Sequence, residues 1–212
     1  MEIKEYSNLK INNNPEAFFM AAISAFVKSG YRRTTMNDVA EAADMSRPAL
    51  YQVFKDKEDV FCSTVSYMIN KAVKTSIKTL SLSGPIDKRI LAAMLDFEEI
   101  HWGPCAKSQF ALEIMHSTVK LEKAIAAIKL GRKQLRAALS KSLQEAERNG
   151  EVTFVGVRIG PLTFVTTLMS ILAAKRYQDT AKPNYIETPL LKFRRRNSKI
   201  IKIFLNSIIV SP

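Results

Sequence analysis

At 212 residues and 47% apolar, the chain is long enough for one large domain, or a small one joined to a larger one, with a substantial buried core. Two cysteines, neither paired by spacing nor set in a metal motif, argue against a disulfide framework, and two histidines leave little from which to build a metal site, so no cofactor is expected. The formal net charge is +12, but residues 1–60 hold 8 Lys/Arg against 9 Asp/Glu and residues 61–212 hold 24 against 11, so charge alone would send a nucleic acid to the second part.

The first fourteen residues, MEIKEYSNLKINNN, lack a continuous apolar segment, so no secretory leader is expected. Helical signals then dominate. Asn14-Pro15 opens a helix with a cap and a proline at the first helical position, and Phe18, Ala22, Ala25 and Phe26 form its apolar stripe up to Gly30. Thr35 starts a second helix, with Asp38 three residues on in the manner of a capping box. Ser46 caps a third, with Pro48 in its first turn, where a missing N–H is not missed. Asp56 caps a fourth and long one, whose apolar positions recur from Val60 to Val73 until SLSGP ends it at 81–85.

Within the third helix, Leu50, Val53 and Phe54 share the inward face. Arg47, Pro48, Tyr51 and Gln52 lie opposite. Two compact helices with a four-residue join, the second presenting its N-terminal part outward, describe a helix-turn-helix. Arg47 suits a guanine edge and Gln52 an adenine edge, while Pro48 and Ala49 offer apolar surface to a thymine methyl. Tyr51 suits a phosphate, as do Thr35 and Lys57 near helix starts, and the cap Ser46 is grouped with these DNA-binding candidates. The competing interpretation makes Arg47 and Gln52 solvated surface and packs the Tyr51 ring on the fourth helix.

Residues 15–62, through AAISAFVKSGYRRTTMNDVAEAADMS and RPALYQVFKDKEDVF, resemble the N-terminal domain of the TetR/AcrR family of bacterial transcriptional regulators. The paired threonines, the alanine-rich second helix and the Leu-Tyr pair stand in that family's order. One departure is DMSRP, where many members have Gly-Val-Ser-Lys-Gly. The resemblance implies an all-α fold of about nine helices. Residues 1–60 would be the three-helix DNA-binding domain and 61–212 a larger ligand-binding and dimerisation domain. It implies a regulator, not an enzyme: a homodimer on double-stranded palindromic DNA, with repression relieved by a small-molecule effector. Phosphate contacts carry over to Thr35, Tyr51 and Lys57, and groove contacts to Arg47, Pro48, Ala49 and Gln52. An activator or a nucleoid-type protein remains the alternative on the same fold. An enzyme is the alternative from another class, although the sequence holds no HExxH, phosphate loop or activated nucleophile.

Further helices are expected at about 86–100, 105–117, 119–148, 158–177 and 189–209, separated by HWGP, RNGEV and DTAKPNYIETP. Residues 159–174 are uncharged but too short for a membrane span, so no membrane partner and a cytoplasmic location are expected. Segments 158–177 and 189–209 are apolar on more than one side and call for a second subunit. Met94, Phe97, Trp102, Phe110, Met115 and Met169 are candidates to line an effector cavity, with Glu98, Glu99, His101, Glu113 and His116 as orienting polar groups. Such residues more often fill a core. Gly131, midway along the longest helix, leaves room for a ligand or for a neighbouring helix.

Overall fold

The computed structural model describes residues 14–106, 108–180 and 190–209. Expectations for the first thirteen residues and for positions 181–189 lie outside the described residues. The described residues form nine helices: α1 (Pro15–Arg33), α2 (Met36–Ala42), α3 (Arg47–Val53), α4 (Lys57–Leu80), α5 (Ile86–Ala106), α6 (Ala111–Lys120), α7 (Glu122–Arg148), α8 (Pro161–Thr180) and α9 (Leu190–Asn206). The fold is all-α, with one isolated antiparallel bridge among the described residues, Val152 to Ile209.

The first four helices open on side-chain caps that satisfy otherwise orphaned amides. Asn14 accepts from the Ala17 amide at 3.0 Å, Ser46 from the Ala49 amide at 3.3 Å and Asp56 from the Asp59 amide at 2.9 Å. Thr35 and Asp38 cap each other reciprocally. Between α2 and α3 the chain reverses through Asp44, at φ +51°, and the Met45 amide bonds back to the Ala40 carbonyl at 2.9 Å. That left-handed position is where glycine is cheapest, and here it is filled by an aspartate.

Two expected boundaries move. HWGP does not end the fifth helix, which runs through Pro104 to Ala106, because Trp102, Cys105 and Ala106 are buried there and their packing outweighs the hydrogen bond that proline forfeits. The next helix accordingly starts at Ala111 rather than near 105.

The main core joins α4, α5, α7, α8 and α9 through residues such as Ile90, Phe97, Leu135, Leu139, Phe164 and Leu205. A second cluster lies beneath α1–α3, with Phe19, Phe26, Val39, Leu50 and Phe61. Trp102, Cys105, Ala111 and Ile114 belong to that same cluster, so the core under α1–α3 is completed by the end of α5 and by α6. Gly131 answers the question its position raises. A Cβ there would sit 2.2 Å from Ile69 Cγ2, so the missing side chain admits the neighbouring helix α4.

Helices α8 and α9 differ from the expectation and from each other. Phe164, Val165, Leu168 and Leu172 of α8 are buried in the chain's own core, whereas Leu162 is 55% exposed and Ile171 and Ala174 are also exposed. On α9, Ile201 and Leu205 turn inward, as does Ile208 just beyond it. Among the α9 residues whose side chains are described (194–206), those facing out are Arg194, Arg195, Lys199, Lys202, Ile203 and Asn206. Over its described side chains, the apolar side of α9 is thus covered largely from within the chain.

Candidate nucleic-acid interface and cavity

Helix α3 separates its two faces cleanly. Leu50 is fully buried and Phe54, at the helix end, stacks on Phe18 with ring centroids 5.1 Å apart. Ser46, Arg47, Pro48, Tyr51 and Gln52 are exposed, and Ala49 is half-buried between the two faces. The Arg47 guanidinium lies 5.6 Å from the centroid of the Tyr51 ring, which is 43% exposed. That contact orients the two side chains together on the outer surface. The ring of Tyr51 is therefore engaged by Arg47 and open to solvent.

The residues placed at helix starts carry internal bonds as well. The Thr35 hydroxyl accepts from the Asp38 amide at 3.2 Å and donates to the Asp38 carboxylate at 2.8 Å, while the Thr35 amide donates to that carboxylate at 2.7 Å. The bond from the Thr35 backbone, then the one from its hydroxyl, holds the Asp38 carboxyl below the usual aspartate range. Lys57 is half-buried, donates its ammonium to the Arg32 carbonyl at 2.9 Å and lies 4.9 Å over the Tyr31 ring. It ties the start of α4 to the end of α1, three residues from Thr35.

That end of α1 is also gripped from the other side, by residues that no local pattern exposes. Glu113 of α6 accepts from the Arg32 amide at 2.7 Å, and its carboxylate fills the space where a side chain at Gly30 would stand. Gly30 itself adopts φ +77°, interrupting α1. Ser108 donates its hydroxyl to the Val27 carbonyl at 2.5 Å, and Arg33 stacks 4.5 Å over the Phe110 ring. The sequence separation of 81 residues between the partners of the Glu113 and Ser108 bonds explains why spacing gives no warning of them.

A cavity of about 300 Å³ lies between the helices beyond this junction. Its walls come from Ile23 of α1; Phe61, Val65, Met68 and Ile69 of α4; His101, Trp102 and Cys105 of α5; Ile114, Met115, Thr118 and Val119 of α6; Ile125, Ile128 and Arg132 of α7; and Ala173 and Tyr177 of α8. Of the apolar candidates, Trp102 and Met115 line it. Met94 and Phe97 are instead packed in the main core, with Met169 against that core and Phe110 at the α1 junction. Among the polar candidates only His101 reaches the cavity. Glu113 serves α1, Glu99 pairs with Arg194 on α9, Glu98 is buried outside the cavity wall and His116 is exposed. Arg132, Phe61 and Tyr177 were not anticipated. Arg132 follows Ile125 and Ile128 on one face of α7, but in sequence it is indistinguishable from exposed basic residues of the same helix such as Lys129 and Lys133.

Cys62 is buried near the cavity wall, and burial pushes its thiol up to about 11, so it stays protonated at neutral pH. Among the described residues no group of His, Cys, Asp and Glu could hold a metal ion, and no helix is long and apolar enough to cross a membrane.

Residues 19–63 match the family model described as bacterial regulatory proteins, tetR family. Over 84 residues the chain is 30% identical to YhgD of Bacillus subtilis (strain 168), an HTH-type transcriptional regulator; the match spans 38% of this chain and 44% of that protein, so it covers under half the length of the relative. A structure from Mesorhizobium loti described as a TetR-family transcriptional regulator superposes with a TM-score of 0.69 at 15% identity, covering 95% of this chain and 99% of that one. SmeT, the repressor of the Stenotrophomonas maltophilia multidrug efflux pump SmeDEF, superposes with a TM-score of 0.66 at 15% identity, over 95% of this chain and 93% of that one. SmeT has also been seen in complex with triclosan. At such identity these likenesses concern the fold.

Proposed function

We propose that this chain, a member of the tetR family of bacterial regulatory proteins, binds a palindromic operator as a homodimer, represses transcription and is released by a small molecule that enters its cavity. The observation that carries the reading is the division of α3: Leu50 and Phe54 anchor it while Arg47, Pro48, Tyr51 and Gln52 face outward from its N-terminal half. Arg47 and Gln52 are the base readers, each good bidentate contact being worth roughly 1–3 kcal/mol of discrimination. Thr35, Ser46, Tyr51 and Lys57 take phosphate, which fixes register without specifying sequence.

The dimer forms through α8, supported by its exposed, uncharged face of Leu162, Thr163, Thr167, Ser170, Ile171 and Ala174.

Release follows from the shared framework. Helix α6 supplies Ile114 and Met115 to the cavity and Glu113 to the turn at Arg32, while α4 supplies Phe61 to the cavity and Lys57 to the same turn. A ligand that displaces α6 or α4 therefore moves the base of α1 and with it the separation of the two α3 helices. It acts as inducer to the extent that it binds that altered spacing better, on a scale of roughly 1–3 kcal/mol. The protein works in the cytoplasm, where its DNA is.

The test is selection of bound fragments from random duplex DNA by the full chain, with its oligomeric state measured in parallel. The expected result is a two-fold symmetric sequence bound at least about a thousandfold more tightly than random duplex. A dimer with no enriched sequence would overturn the reading.

A further inference from the structure

We infer that the cavity opens onto the dimer face and that a second copy of this chain closes it, so the effector site is complete only in the dimer. This rests on the reading of the cavity as the effector site and of α8 as the dimer contact. An exposed side chain on a cavity wall marks where the cavity opens. Among the described residues that line it, all but two are buried or half-buried. The two are Val119, near the end of α6, and Tyr177, near the end of α8, each 54% exposed. They bring branched and aromatic surface into water at the rim of an apolar space, and surface of that kind is what association removes from water.

The helical repeat places this rim beside the dimer contact. Thr163, Thr167, Ser170, Ala174 and Tyr177 stand at i, i+4, i+7, i+11 and i+14, and at about 3.6 residues per turn they fall in one stripe roughly 80° wide. All five are exposed. Ala173, the other α8 residue on the cavity wall, sits just outside the stripe on the side of Tyr177. Tyr177 is therefore the corner of α8, with the cavity on one side of it and the dimer contact on the other.

A two-fold contact joins the same surface of both copies, so whatever lies on the stripe of one subunit is met by the other. Charge does not oppose such a meeting, since Pro161 to Ala174 hold no Asp, Glu, Lys or Arg. Each subunit then covers the mouth of the other's cavity. By linkage, a cavity completed in this way holds its ligand more tightly in the dimer than in the monomer, and an occupied cavity strengthens the dimer.

Trp102 is the chain's single tryptophan; it lies on the cavity wall and is 7% exposed, so its quenching by acrylamide reads whether the mouth is open. The full-length protein is quenched at concentrations above and below dimer dissociation, with the oligomeric state followed by sedimentation. Beside it is measured Ser170→Arg, which sets a charge on the stripe at an exposed position. The expected result is a quenching constant several-fold larger in the monomer than in the dimer, the same whether the monomer comes from dilution or from Ser170→Arg. In Val119→Cys the rim thiol should likewise react with a maleimide several-fold more slowly in the dimer, both native cysteines being buried. Should Ser170→Arg fail to fold, Thr167→Arg takes its place on the same stripe. Quenching or rim labelling that is equal in dimer and monomer would overturn the inference and leave the dimer standing. A Ser170→Arg chain that stays dimeric would move the contact off this stripe and overturn both, as would a wild type that is monomeric at every concentration. Selection of duplex DNA is scored separately. A two-fold symmetric duplex selected by a dimer whose cavity is as open as the monomer's supports the proposed function against this inference.

Discussion

The outer face of α3 and the cavity lined by α6 are built in opposite ways. On α3 the side chains stand in water on a short helix that two buried residues, Leu50 and Phe54, pin from below. The cavity lies among six helices and is lined mostly by apolar side chains. The first surface can meet a large, rigid, charged partner without rearranging. The second can be filled only by something small, and filling it presses on helices that also complete the core beneath α1–α3. That overlap is the physical basis for expecting one site to sense the other.

The largest effect is expected at the residue that anchors α3. Leu50→Ala removes a fully buried side chain and should cost about 2–5 kcal/mol in urea unfolding. A loss under 1 kcal/mol would mean that α3 is not pinned by its inner face. Gly131→Ala acts at the cavity instead. Forcing a methyl group to within 2.2 Å of Ile69 should destabilise by about 1–3 kcal/mol, less what alanine returns in helix propensity, and should perturb Trp102 emission because Ile69 is itself a cavity wall.

Asp44→Gly should stabilise by roughly 0.5–1 kcal/mol, read as a rise in Tm, because glycine adopts φ +51° without the penalty an aspartate bears. An unchanged or lowered Tm would show that the aspartate makes up the strain locally. The smallest effect concerns pH. The depressed Asp38 carboxyl contributes stability that is complete above the ordinary aspartate value of about 3.9 and lost as pH falls through its lower folded value. Asp38→Asn should therefore flatten the acid limb of the stability profile slightly. Because Asp38 is exposed, a large change would be unexpected.

Which of these features could be read from the chain follows from how far apart their parts lie. Asn14, Thr35, Ser46 and Asp56 cap their helices through bonds three residues long, so their roles are visible in any short window. The same holds for the inward set of α3. Glu113 looks like one more acid on a helix until α6 is laid against Gly30 and Arg32. Phe97 and Met94 carry the composition of a pocket but are buried in the main core, and side-chain type cannot distinguish lining from filling. Pro104 misleads for a related reason, since a local helix breaker was overruled by the burial of its neighbours Trp102 and Cys105.

The central claim is that α3 reads bases through Arg47 while the helix starts around it only hold the duplex. Its most direct test is the ratio of affinities for the selected duplex and for one with scrambled half-sites, measured in the wild type, Arg47→Ala, Tyr51→Phe and Lys57→Ala. The account predicts that Arg47→Ala lowers the ratio by about tenfold or more per half-site, whereas the other two weaken both duplexes alike and leave the ratio intact. A ratio unmoved by Arg47→Ala, or lowered equally by all three substitutions, would contradict it.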